Sequence, residues 1–216
     1  MIISKQKPFE EITAMLKEYQ KVFLVGCGEC ATTCKSGGEP ELQEIKKQLE
    51  RAGKIIVGTC IPEAPCLAGK LKQELAKNVK VLREAEAILV FACGLGVQSV
   101  KNNDRLGLKV LPGVNTVFGA VMDSKGNFFE RCSMCGECVL DVTEGICPVT
   151  LCAKGLMNGP CGGMDKGKCE VDKDKDCAWI LIYKELEKKK KTTKFRQVLP
   201  PRDHRKSGKP RQLIIK

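Results

Sequence analysis

Apolar side chains in the first 120 residues follow two alternating patterns. Ile12, Met15, Leu16 and Tyr19 recur at helical spacing after Pro8, and the unbroken run Val22 to Val25 suits a strand buried on both faces. The cycle repeats. Leu42, Ile45 and Leu49 mark one side of a charged segment, Pro40 to Ala52, ahead of the run Ile55 to Val57. Leu67, Leu71 and Leu75 form a third stripe, ahead of Ile88 to Phe91. Residues 79–86 show neither period, Val97 to Asn102 fits a short helix, and Leu108 to Leu111 fits a fourth strand ended by Pro112. Strands separated by helices predict a parallel sheet covered on both faces. The expected fold is therefore α/β, with a small doubly wound parallel-sheet domain over residues 1–120.

From Val114 to Tyr183 the alternation stops. Turn formers take over: Gly136, Gly145, Pro148, Gly155, Asn158-Gly159-Pro160, Gly162-Gly163 and Gly167. Such a segment buries too little apolar surface to fold unaided, so metal ligation is expected to supply the missing stability. Residues 121–187 read as an irregular cysteine-rich metal-cluster module. It closes on a helical stretch, Ala178 to Leu186, that carries Trp179, Ile182 and Leu186 on one face. Residues 188–216 read as a basic extended tail, suited either to gripping an acidic partner surface or to remaining solvated.

Composition sharpens this picture in two ways. The chain has 14 cysteines in 216 residues, and no apolar run long enough to span a bilayer. Its start, Met1 to Glu10, lacks the apolar region of a secretion signal, which predicts the reducing cytoplasm and no membrane partner. Thiols there bind metal more readily than they pair as disulfides. The net charge of +11 is also local, since Lys184 to Lys216 hold 13 Lys or Arg against 3 Asp or Glu. Metal-bound thiolates, at roughly −2 per four-thiolate cluster, would make the body acidic. Nucleic acid is not an expected partner, because the tail offers only Phe195 for stacking.

Eight cysteines fall in one stretch: Cys132, Cys135, Cys138, Cys147, Cys152, Cys161, Cys169 and Cys177. The run Cys132-x2-Cys135-x2-Cys138 with a later Cys147-Pro148 resembles the bacterial ferredoxin pattern, although eight residues rather than three precede the Cys-Pro. In that pattern the last cysteine crosses to a second cluster, so Cys147 has the later cysteines as alternative companions. Eight thiols allow two four-thiolate sites. At least one is expected to hold a [4Fe-4S] cluster, with zinc an option at the other.

The remaining candidates follow the strands. Cys27 comes directly after the first, Cys60 shortly after the second and Cys93 shortly after the third, with Cys30 and Cys34 in the first loop. In a parallel sheet these loops gather at one edge, where ligands bind. A third site from Cys27, Cys60, Cys93 and one of Cys30 or Cys34 is expected, against the alternative of small buried residues at strand ends. Gly26-Cys27-Gly28-Glu29-Cys30-Ala31 also matches a dinucleotide fingerprint. The loop-like Thr32 to Glu39 does not open the helix that fingerprint needs, and its glycines are expected to let backbone approach an inorganic core. Cys27-Gly28-Glu29-Cys30 further allows a thiol–disulfide reading. No nucleophile with an adjacent base and no distinctive carboxylate pair is evident, and His204 is expected to be solvated rather than a ligand.

The cysteine-rich half carries Cys135-Gly136-Glu137-Cys138-Val139-Leu140-Asp141, Gly145-Ile146-Cys147-Pro148-Val149, Gly155-Leu156-Met157-Asn158-Gly159-Pro160-Cys161-Gly162-Gly163, Gly167-Lys168-Cys169-Glu170-Val171 and Cys177-Ala178-Trp179. Together with Pro200-Pro201-Arg202-Asp203 and Gly208-Lys209-Pro210-Arg211, these segments resemble the family named for the C-terminal extension of methylenetetrahydrofolate reductases, here as a free-standing small subunit. His204 stands where that family's ending suggests an aromatic, and the α/β half resembles the family more loosely. The resemblance implies an iron–sulfur electron-transfer subunit with two or three [4Fe-4S] clusters and no catalytic residue of its own. It implies a flavin-bearing TIM-barrel partner that reduces 5,10-methylenetetrahydrofolate to 5-methyltetrahydrofolate, and further electron-donor subunits. The setting it implies is one-carbon metabolism of anaerobes, the Wood–Ljungdahl pathway. The alternative within the same complex is a zinc-stabilised interaction subunit without redox work.

Overall fold

The computed structural model describes residues 1–215, and the chain divides into two compact units, Met1–Phe118 and Gly119–Lys216. The last tail residue, Lys216, lies outside the described residues.

Unit one opens with β1 (Ile2–Gln6), α1 (Phe9–Met15), β2 (Lys21–Val25), α2 (Cys30–Thr33), α3 (Glu39–Arg51) and β3 (Ile55–Cys60). It continues with α4 (Ala68–Lys77), α5 (Val79–Leu82), β4 (Ala87–Val90), α6 (Gly94–Asn103), β5 (Lys109–Pro112) and β6 (Val114–Met122), the last running across the boundary between the units. Four strands pair in parallel in the order β3-β2-β4-β5. Strand periodicity divides their side chains between two cores. Val22, Leu24, Ala87 and Leu89 pack with Ile12, Leu16, Leu42, Ile45 and Leu49 from α1 and α3. Phe23, Val25, Ile88 and Val90 pack with Leu71, Leu75, Leu82 and Val100 from α4, α5 and α6. The doubly wound sheet is therefore present, with helices on both faces.

Differences from the sequence expectation lie at the margins. β1 lies beside β6 in a second, three-stranded sheet that β7 (Phe128–Glu130) completes in antiparallel pairing with the end of β6. Neither β1 nor β6 stands out by hydropathy, because β6 buries only Val114 and Ala120 of its nine residues. β3 extends through Gly58 and Thr59 to Cys60, so that cysteine ends a strand instead of following one. Glycine interrupts the apolar run there because Phe23 and Val81 fill the space a Cβ would need, at 2.8 and 2.9 Å.

Unit two has little regular structure. After β7 come α7 (Pro148–Leu151) and α8 (Ala178–Lys188), then short 3₁₀ turns at Thr192–Arg196 and His204–Ser207. Its core is small: Cys177, Trp179, Ile182 and Leu186, with Ile146, Cys152, Ile180 and Phe195 packed against them. Phe195 meets Trp179 and Tyr183 edge-on, at centroid distances of 5.9 and 5.4 Å. The indole N–H of Trp179 donates to the Leu156 carbonyl at 3.0 Å.

The basic tail is tied to its own module. Glu144, mostly buried, faces Lys189, Lys191 and Lys194 at 3.0, 3.3 and 3.4 Å. Asn158 exchanges two hydrogen bonds with the Leu199 backbone, at 2.9 and 2.7 Å. The large apolar side chains that the tail leaves exposed are Val198 and Leu213 to Ile215. Charge counting along the sequence misses these ties because the carboxylates sit some 45 residues or more upstream of their lysines.

Two predictions follow from this packing. A Cβ on Gly37 would stand 1.9 Å from the Phe91 carbonyl oxygen, so Gly37→Ala must displace backbone at the cysteine-bearing edge of the sheet. It should cost about 1–3 kcal/mol, read as an earlier urea-unfolding midpoint. Hydrogen bonds from Lys189 and Lys191 hold the Glu144 carboxyl down to about 2, from an ordinary 4.5. Its stabilising contribution is thus complete above the unfolded value and lost as pH falls through about 2. Glu144→Gln should deprotect amides 189–197 to hydrogen exchange at neutral pH, and the difference from wild type should shrink below about pH 4.

Candidate metal centres

The order of the parallel sheet places a topological switch between β2 and β4, since the chain moves outward to β3 on one side and to β5 on the other. The loops leaving β2 and β4 therefore border a crevice. Cys27 stands at the start of one loop, and Cys93 ends the other as the residue capping α6. The backbone amides of Ala31 and Glu29 approach the Cys27 sulfur where the chain turns into α2. Burial pushes the Cys27 thiol up, those two amides draw it down, and the neighbouring sulfurs of Cys30 and Cys93 push it up again. Cys30 and Cys93 are thus the thiols whose charge bears on Cys27.

The other candidates of unit one surround this group. Cys34 turns its thiol toward the Ile2 carbonyl at 3.9 Å, and Cys30 receives the Ile2 N–H at 3.5 Å, so both flank the same residue of β1. Of the two, Cys30 is the one whose charge bears on Cys27. Cys60 sits in the α4-side core with Leu71 and Leu75; burial, with the charge of Glu74 as a lesser cause, pushes its thiol up to about 12. Cys60 ends the strand on the other side of β2 from β4, opposite Val25, and shares the α4-side core with Cys27. Cys66 is exposed.

The glycines of the first loop pack chain against chain. A Cβ on Gly26 would stand 2.7 Å from the Gly37 carbonyl oxygen, and one on Gly28 would stand 3.2 Å from the Glu63 Cα. They let the loops after β2 and β3 close on each other. The fingerprint-like sequence opens only the four-residue α2.

In unit two the eight cysteines separate by position in the chain. Cys152, Cys161, Cys169 and Cys177 line a single small cavity, together with Leu151, Met164, Ala178 and Trp179. A looped segment brings the last two to it. Asp165 and Lys168 pair across a tight turn, and Lys168 bridges to Asp176. The Cys169 amide donates to the Lys175 carbonyl at 2.9 Å, and the Cys177 amide to the Gly167 carbonyl at 2.8 Å. Cys177 then caps α8, whose Trp179 forms part of the cavity wall. Four sulfurs around a common space fit a four-thiolate centre. Cys147 does not line this cavity. It caps α7, and its thiol lies 3.6 Å from the Thr150 hydroxyl.

Cys132, Cys135 and Cys138 lie on a tight turn, with positive φ at Met134 and Gly136 of 54° and 82°. The Met134 amide donates to the Cys132 sulfur at 3.3 Å. Gly136 is required twice over, because a Cβ there would also stand 2.6 Å from the Lys206 carbonyl oxygen. Cys132 and Cys138 are exposed, and Cys135 and Cys147 are half-buried. Among the described residues no three His, Cys, Asp or Glu side chains close tightly enough to hold one metal ion. Thiolates sharing a cube each bind a different iron, so they stand further apart than ligands of a single ion. His204 is exposed, and no described helix is long and apolar enough to cross a membrane.

Residues 111–205 match the family model described as methylene-tetrahydrofolate reductase C terminal. That match relates the chain to methylenetetrahydrofolate reductase and covers all eight cysteines of unit two. Most of unit one, with the Cys27 group, lies outside the methylenetetrahydrofolate reductase C-terminal segment. No curated protein and no solved structure matches the chain.

The two environments of unit-one thiols make a direct prediction. In reduced, metal-free protein at about pH 8, Cys66 should alkylate fastest and Cys60 slowest, since only the thiolate reacts. Site-resolved mass spectrometry with iodoacetamide checks this order. Rapid labelling of Cys60 would mean that its sulfur is free at the sheet edge.

Proposed function

We propose that this chain is an iron–sulfur electron-transfer subunit of a methylenetetrahydrofolate reductase system. Its partner is a flavin-bearing TIM-barrel subunit that reduces 5,10-methylenetetrahydrofolate to 5-methyltetrahydrofolate in the cytoplasm, with further donor subunits upstream. The observation that carries the reading is the shared cavity of Cys152, Cys161, Cys169 and Cys177 within a segment matching the reductase C-terminal family. It leaves Cys132, Cys135, Cys138 and Cys147 as the second set of four thiols, and Cys27, Cys30 and Cys93 as three ligands of a third site. Cys34 and Cys60 are the candidates for its fourth.

Bound clusters would supply one-electron carriers able to exchange with a flavin. The residues of this chain hold and tune them. Trp179 and Leu151 supply apolar wall to the cavity, and the amides of Met134 and Ile2 point N–H groups at Cys132 and Cys30. Substrate chemistry rests with the partner. A second reading has one specific support: the turn-rich Asp165–Cys177 segment is the kind of short loop on which four-cysteine zinc sites are built. Zinc at that centre would serve structure alone.

Anaerobically purified protein should be brown, bleach with dithionite and carry iron and acid-labile sulfide for two or three [4Fe-4S] clusters. Zinc in place of one cluster's iron would assign the cavity to a structural ion. Colourless protein without sulfide would refute the electron-transfer reading. A flavoprotein retained on the tagged chain through purification would identify the partner.

A further inference from the structure

The segment after Leu199 returns to the turn carrying Cys132, Cys135 and Cys138, and it arrives as a row of cations. Arg202 donates from Nη2 to the Cys135 carbonyl at 3.4 Å, and Arg211 donates from Nη1 to the Met134 carbonyl at 2.7 Å. Lys206 pairs with Glu137 at 2.8 Å, and the Asp203 amide donates to the same carboxylate at 3.2 Å. Glu137 is therefore already answered. Asp203 is likewise occupied by Arg205, at 2.8 Å.

One donor in this arrangement is not satisfied. The Nε of Arg202 is buried and has no hydrogen-bond partner, alone among the described side-chain nitrogens and oxygens in that respect. A guanidinium keeps its charge at every physiological pH, and leaving one of its N–H groups dry and unpaired is costly. The group is fixed against the half-buried Cys135, in a turn with two neighbouring thiols and no spare carboxylate. An anion held at that turn would complete it with a charge-assisted hydrogen bond.

We propose that Arg202 is a positioning residue for the Cys132–Cys135–Cys138 centre, donating to the sulfur anion held there, and that residues 202–211 form a cationic cover over it. The inference rests on the iron–sulfur reading above. A donor and a positive charge beside sulfur favour the more negative, reduced form, so the cover raises this centre's reduction potential relative to the others. Arg211 and Lys206 hold the cover down, while Arg202 acts on the anion.

The test compares wild-type protein with Arg202→Gln and Arg202→Lys, each purified anaerobically, by EPR-monitored redox titration after iron and sulfide analysis. The signal that Cys135→Ser abolishes identifies the centre. With iron and sulfide retained, Arg202→Gln should lower that centre's reduced-to-oxidised ratio at fixed potential about tenfold, a shift of about 59 mV for one electron. Arg202→Lys keeps charge without the planar donors and should restore part of the shift. If Arg202→Gln loses the cluster, the lysine variant carries the measurement. An unmoved potential in a fully loaded variant overturns the role of Arg202 while leaving the clusters in place. Wild-type protein lacking iron and sulfide overturns both, and its metal analysis tells the two failures apart.

Discussion

Thiols gathered in one place resist losing their protons together, because each thiolate raises the cost of the next. Much of this structure answers that constraint. In unit one, Cys27 has buried surroundings and two sulfur neighbours, both unfavourable to its anion, and the amides of Ala31 and Glu29 offset them in part. Backbone N–H groups also reach Cys30 and Cys132. In unit two the arm bearing Arg202, Lys206 and Arg211 lies over the first cysteine turn. Amide dipoles and side-chain cations soften the repulsion between sulfurs, and a bound cation would remove the rest. The basic excess near the C-terminus is thus used inside the molecule.

The two units meet the constraint with different mechanical support. Cys27 and Cys93 extend from adjacent strands of a sheet whose two faces are filled by separate helical layers. Their spacing is set by strand pairing and holds whether or not anything binds. The cysteines of unit two sit on turns, and the apolar core beneath them is the small cluster of Cys177, Trp179, Ile182 and Leu186. Carboxylate–lysine ties at Glu144 and the Asn158–Leu199 pair brace the chain around that core without adding apolar burial. Surface ion pairs of this kind contribute little each, so ligand bonds to the sulfurs have more stability to supply here than in unit one.

Legibility from sequence follows the same division. The sheet and its helical faces were readable because burial on both sides leaves unbroken apolar runs, Val22 to Val25 and Ile88 to Phe91, between stripes at helical spacing. β1 and β6 escaped because strands with one thinly covered face show weak alternation. Gly58 hid the end of β3, since it answers to Phe23 and Val81 across the sheet rather than to its neighbours in sequence. The cysteine spacing suggested metal chemistry but not the sets. The grouping of Cys152 with Cys177 depends on a turn at Asp165–Lys168, and the companionship of Cys27 with Cys93 depends on strand order. Arg202 carried no signal at all, because its meaning lies in a contact 67 residues away.

The strand order also decides what the even spacing means in space. Cys27, Cys60 and Cys93 fall 33 residues apart, as one strand–helix cycle repeats. Equal spacing in sequence gives equal height along the sheet, but the position across it depends on topology. β2 and β4 are neighbours, and β3 lies on the far side of β2. The chain enters β3 from α3 and leaves it into α4 on the opposite face, so Cys60 ends its strand among the leucines of α4. Its high thiol pKa follows from that apolar setting, which it shares with Cys27. Cys30, carried on the short helix that begins beside Cys27, reaches the same crevice without disturbing the core.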